Sequence, residues 1–244
     1  MKKIVLLLAL CLSVGNLFAQ DADKSRDEGD AAYKAKNYAE ALSKYSEYLK
    51  QTNYEDDARI YNAGFCADQA NKPEEAVKFF DMAIKKNYNA SDAYTGKAKA
   101  LRDMDKAPEF TATVEAGLKA HPDNVNLGKM LYVYCMKKGQ AAQKAGKIAD
   151  AEEMFKDVLV VNNPKYKVNA LYSLGILFYN NGVKTLQAAT PIATSDPDKY
   201  AAEKEKATAD FKKAKDYLEQ ATAIDATNEN VKKSLANVNE TLKN

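Results

Sequence analysis

Residues that carry chemistry are scarce in this chain of 244 residues. It has one histidine, His121, set in a turn before proline. A Cys–His or Ser–His nucleophile pair would have to use that residue, which reads as structural. Cysteine is nearly as rare, with three in all. Cys11 lies in the amino-terminal segment, leaving Cys66 and Cys135 well apart. Zinc-ligand spacings are therefore absent, and neither a metal nor a cofactor is expected. No glycine-rich loop of the phosphate-cradling kind occurs. Beyond residue 19, no apolar run approaches the roughly 20 residues that a helical bilayer span takes. Carboxylates are plentiful, but they interleave with lysines as on solvated helix faces. Together these gaps exclude the common routes to catalysis, and the reading is of a protein that is not an enzyme.

The amino terminus is different in kind. Lys2 and Lys3 form a basic start, Ile4 to Leu12 is an apolar run of nine, and Leu17-Phe18-Ala19 fits a signal-peptidase site. A lipid anchor at Cys11 is disfavoured because bulky Leu10 stands where a bacterial lipobox takes a small residue. Residues 1–19 thus read as a signal peptide, and the mature chain is expected in the periplasm without a transmembrane segment. Removing them takes two lysines and no acid, so 36 basic residues fall to 34 against 34 acidic ones. A formally neutral chain argues against a nucleic-acid partner, whose phosphates call for a basic surface.

What the sequence does have is a spacing. Gly29 precedes Ala41 by twelve residues, and the same interval separates Gly64 from Ala76, Ala98 from Phe110, and Gly139 from Ala151. The later members step by 35, 34 and 41 residues. Self-similarity near 34 residues marks a solenoid of helix pairs, in which no pair buries its apolar face alone. Within the units, Tyr45, Tyr48 and Leu49 follow Ala41, and Phe80, Ala83 and Ile84 follow Ala76. Pro73 suits the first turn of a helix. The third unit is weaker, with Val114, Gly117 and Leu118, and closes on His121-Pro122-Asp123-Asn124. The fourth carries Phe155, Val158 and Leu159, and its seven extra residues place its first helix from near Val125.

These features resemble the tetratricopeptide repeat family, which sets a small residue in helix A and Ala-x-x-x-aromatic in helix B. The resemblance implies an all-α, right-handed superhelical solenoid of about five helix pairs plus a C-terminal capping helix. Its repeats fall near 22–55, 57–90, 91–124, 125–165 and 168–227, with the cap at 228–244. The fifth pair begins with Leu171, Leu174, Gly175 and Phe178, but its B helix (Ala214, Leu218, Ala221) lies 39 residues after Gly175. An insertion at 183–209 separates them. Residues 183–195 read as a helix end and a loop, and Ser195-Asp196-Pro197-Asp198 as a helix start. A docking arm, a homodimer contact through 183–223 and a stabilising end cap are all open readings of this long hairpin. Cys66 and Cys135 fall two repeats apart and read as buried structural thiols, because a disulfide needs Cα atoms within about 7 Å.

In this family partners commonly bind the concave face formed by the A helices. Residues offset by one from the core stripe would line that face. They are Arg26 and Tyr33 in the first A helix, Tyr61 and Phe65 in the second, and Lys99 and Arg102 in the third. Met136 with Val133 follows in the fourth, then Tyr172, Ile176 and Tyr179 in the fifth. Aromatics with a few arginines fit an interaction hot spot, although the insertion or the cap would make Tyr172 and Tyr179 core if it covered them. Relatives that bind acidic chaperone tails use a lysine–asparagine clamp where this chain has Arg26 and Asp30. The acid and the export signal both argue against that role. The implied function is a non-enzymatic scaffold or adaptor of the bacterial cell envelope, holding a peptide or partner helix on the concave face. The alternative is a periplasmic small-ligand-binding protein using the same groove.

Overall fold

The spacing rule becomes visible first in the turns. The computed structural model describes residues 21–243, so the export segment 1–19 lies outside the described residues. Helices α1 (21–34) and α2 (Tyr38–Gln51) are joined through Lys36, whose φ is 60°. The same left-handed residue recurs as Asn71 between α3 (Asp57–Gln69) and α4 (Pro73–Lys85), and as Asp105 between α5 (Ala90–Asp103) and α6 (Ala107–Ala120). It recurs again as Gly146 between α7 (Val125–Lys144) and α8 (Ile148–Asp157). Each turn repeats one pair of backbone bonds. Asn37 N–H donates to Ala32 O, Lys72 to Ala67 O, Lys106 to Leu101 O and Lys147 to Ala142 O, at 2.8–2.9 Å. This pattern closes the last turn of helix A by satisfying its orphan carbonyls. Lys, Asn, Asp and Gly all serve, so the turns are invisible to a search for glycine alone.

The chain divides into two compact units, one ending at Leu127 and the other starting at Gly128. In the first, α3 packs on both α2 and α4, and α5 on both α4 and α6. The core holds the B-helix stripes Ala41, Leu42, Tyr45 and Leu49, then Ala76, Phe79, Phe80 and Ala83. Their rings sit over small residues of the A helices. A Cβ on Gly29 would stand 2.8 Å from the Tyr45 ring, and one on Gly64 would stand 2.9 Å from Phe80. Gly96, in the next repeat, meets the other edge of the same Phe80 ring.

The second unit is built around a long hairpin. After α8 a 3-10 turn (Val158–Val160) leads to α9 (Pro164–Ala189), then a second 3-10 turn (Thr190–Ile192) to α10 (Pro197–Ile224) and α11 (Glu229–Thr241). The stretch 183–195 is a helix end and a short connection, as its composition suggests: α9 runs on to Ala189, and the insertion lengthens both helices of the pair. The two hold 26 and 28 residues, about 39 and 42 Å of helix. The reason is a continuing seam. Gly182 lets Phe211 and the Ala207 carbonyl approach, and Asn181 donates to Asp210 at 2.7 Å. Asp196 caps α10 by accepting from the Lys199 N–H at 3.1 Å, with Pro197 in the first turn. Helix α11 packs on α10 through buried Val231 and Val238, its other face being polar.

Two glycine substitutions separate strain from crowding, each read by urea denaturation. Gly146→Ala meets no neighbour but must hold a φ of +73°, and it should cost about 1 kcal/mol. Gly96→Ala pushes a methyl into the Phe80 ring, and it should cost about 1–3 kcal/mol.

Candidate functional site

On the A helices of the first unit, residues of neighbouring repeats are tied together by charge. Arg59 of α3 forks onto Asp30 of α1, with Nη2–Oδ2 at 2.5 Å and Nε–Oδ1 at 3.2 Å. The Tyr45 hydroxyl donates to the same carboxylate at 2.8 Å. Burial pulls the Asp30 carboxyl upward, but these donors outweigh it and hold it below the ordinary aspartate range. Burial, and then the bond to Asp30, drive the Tyr45 phenol well above its usual value. One repeat on, Lys99 of α5 pairs with Asp68 of α3, and also lies 3.5 Å from Asp103. Sequence reading missed this ladder. Its signal is opposite charges one near-repeat apart on successive A helices.

The candidate residues of this unit lie along the same helices. Arg26 is held by Asp23 at 2.7 Å and Asp27 at 2.9 Å, and exposed Arg102 by Asp103 at 2.9 Å. The aromatics are half-buried rather than fully presented, and each packs on the core. Tyr33 and Phe65 meet at 5.9 Å, with Tyr38 completing a three-ring cluster at 6.2 and 5.7 Å. Tyr61 stands edge-on to Phe80 at 5.9 Å and tilted against Tyr88 at 6.3 Å. Burial first, and then the charge of Asp92, raise the Tyr61 phenol above its usual value.

In the second unit, Met136, Tyr172 and Tyr179 are likewise half-buried against the core, and Ile176 is partly exposed. The Tyr179 ring leans on Phe211 of α10 at 5.7 Å, so the extended hairpin covers that end of the stripe. Val133 is 54% exposed. Nearby, Tyr132 and Tyr166 stack at 4.1 Å and 7°, and Asn169 donates to the Tyr132 hydroxyl at 2.9 Å. This stripe holds no charged side chain, in contrast to the A helices of the first unit.

The remaining reactive residues are held in structural settings. Cys66 and Cys135 are both buried, and burial pushes the Cys66 thiol up to about 12, where it stays protonated at neutral pH. His121 ends α6, its N–H bonded to Gly117 O, with its ring edge-on to Tyr94 at 6.1 Å. Among the described residues, no group of three or more His, Cys, Asp or Glu is placed to hold a metal ion. No helix there is long and apolar enough to cross a membrane.

Asp30→Asn should destabilise the protein by about 1–3 kcal/mol at pH 7, because it leaves Arg59 and Tyr45 facing a neutral amide. The sign with pH follows from the lowered folded pKa. The stabilisation is full above about pH 4 and is lost as pH falls through the lower folded value. The gap between wild type and variant in urea midpoint should therefore shrink at pH 3.

A tetratricopeptide-repeat family model matches residues 26–91 and 136–190. A solved TPR-repeat protein from Bacteroides fragilis is 48% identical, with a TM-score of 0.85, and the match covers 90% of this chain and 98% of that one. The Hsp70-Hsp90 organizing protein of Triticum aestivum is 30% identical over 107 residues, a stretch that is 43% of this chain. The match spans only 18% of the length of that curated relative. The repeat spacing, the A–B turns, the family model and the Bacteroides fragilis relative agree: the chain belongs to the tetratricopeptide-repeat family, whose helix pairs act as protein-interaction scaffolds.

Proposed function

We propose that the protein is a non-enzymatic adaptor of the bacterial cell envelope that holds a peptide or a partner helix on its A-helix face. The observation that carries this reading is the row of half-buried rings Tyr33, Phe65 and Tyr61, anchored at their base in the core. Rings held in this way lose little conformational freedom when a partner covers them, so the contact retains more of its favourable free energy. Grooves open to solvent support a protein surface over an enclosed metabolite site. One of about 420 Å³ between α9 and α10 is lined by Asn181, Lys184, Ala188 and Ile192. The envelope location rests on the basic start, the apolar run of nine and the Leu17-Phe18-Ala19 site.

Two experiments test the two halves. Amino-terminal sequencing of the protein from fractionated cells of its own organism should find a mature chain starting at Gln20 in the periplasm. An intact Met1 in the cytoplasm would end the export reading. Photo-crosslinking amino acids placed singly at Tyr61 and Tyr179 should capture a defined envelope protein. Capture from neither site by a folded, exported chain would sink the A-helix face and move attention to the 183–209 arm.

A further inference from the structure

Among the described residues, most cations on the A helices of the first unit already have a carboxylate of their own chain, exposed Lys34 being the exception. Arg26 has Asp23 and Asp27, Arg59 has Asp30 and Asp56, and Lys99 and Arg102 share Asp103. A partner bringing acidic groups would have to displace these ion pairs. The face also keeps an acid to spare. Asp92, exposed in the first turn of α5, is near enough to Tyr61 for its charge to add to burial in raising that phenol, and the Tyr61 and Tyr88 rings stand 6.3 Å apart at 57°. Two tilted phenol rings with a carboxylate near one of them suit a cationic side chain, which gains both the ring quadrupoles and the opposite charge.

We propose that the A-helix face of the first unit binds a basic segment of a partner protein. A Lys or Arg of that segment sits against Tyr61 and Tyr88 beside Asp92, and neighbouring apolar side chains lie on Tyr33 and Phe65. This rests on the adaptor reading and names the chemistry of its partner. Complementary charge sets register and speeds encounter, while the rings supply apolar contact.

The test is fluorescence anisotropy on the purified chain with three labelled peptides. They share Phe and Leu positions and differ in carrying Lys, Gln or Glu between them. At low ionic strength the Lys peptide should bind about tenfold more tightly than the Gln peptide, with the preference fading as salt rises. Asp92→Asn, an exposed change expected to leave the melting temperature unaltered, should remove most of that preference. Glu115→Gln, on α6, should not. Tighter binding of the Gln or Glu peptide, a preference untouched by Asp92→Asn, or no binding of the Lys peptide at millimolar concentration would overturn the basic-segment assignment. If Tyr61 still crosslinks an envelope protein in those cases, the adaptor reading survives. If it crosslinks nothing, both fall.

Discussion

The repeats rest on the seating of one bulky B-helix side chain over a small residue of helix A. Tyr45 lies on Gly29, Phe155 on Gly139 and Leu218 on Gly175. Phe80 goes further, held between Gly64 of its own repeat and Gly96 of the next. Burying such a side chain contributes about 1.5–3 kcal/mol, but its geometric effect matters more. A Cβ branch at the seat would hold the helix axes apart, and each repeat would lose its register on its neighbour. The polar contacts of the first unit follow from this seat. Tyr45, fixed over Gly29, points its hydroxyl at Asp30, and Asp30 in turn holds Arg59 of the following repeat.

The same scaffold carries two different faces. In the first unit the A helices present rings flanked by ion pairs, and most of their charge is spent within the chain. The corresponding stripe of the second unit, Met136, Tyr172, Ile176 and Tyr179, is uncharged, and Phe211 of the extended hairpin leans on its far end. The core rings must keep their seats, whereas the residues one position around each A helix are free to vary. That separation lets one fold serve many partners.

Much of the fold was legible before any coordinates. The interval from Gly29 to Ala41 and its recurrences locate the A–B pairs, Pro73 begins α4, and Asp196 caps α10. The core status of Leu42, Tyr45 and Leu49 follows from helical spacing alone. The reading of 183–195 as a helix end and a loop left only the point of the break to the structure. Pro191 and the run of small and polar residues signal a break, yet the break is a tight 3-10 turn that lets both helices continue as a paired hairpin. Gly96, which meets Phe80 of the preceding repeat, lies outside the twelve-residue interval and so carried no signal of its own.

By itself the sequence determined the all-α class, the repeat period and which residues form the seams. Those properties come from local helix periodicity and from the size of single side chains. The tertiary structure alone decided the pairing of Asp30 with Arg59 and of Asp68 with Lys99, 29 and 31 residues apart. It also turned Tyr33, Tyr61 and Phe65 into half-buried anchors rather than free surface rings. Such contacts form between successive helix pairs, so they depend on how closely the axes approach, which no stretch of sequence encodes on its own.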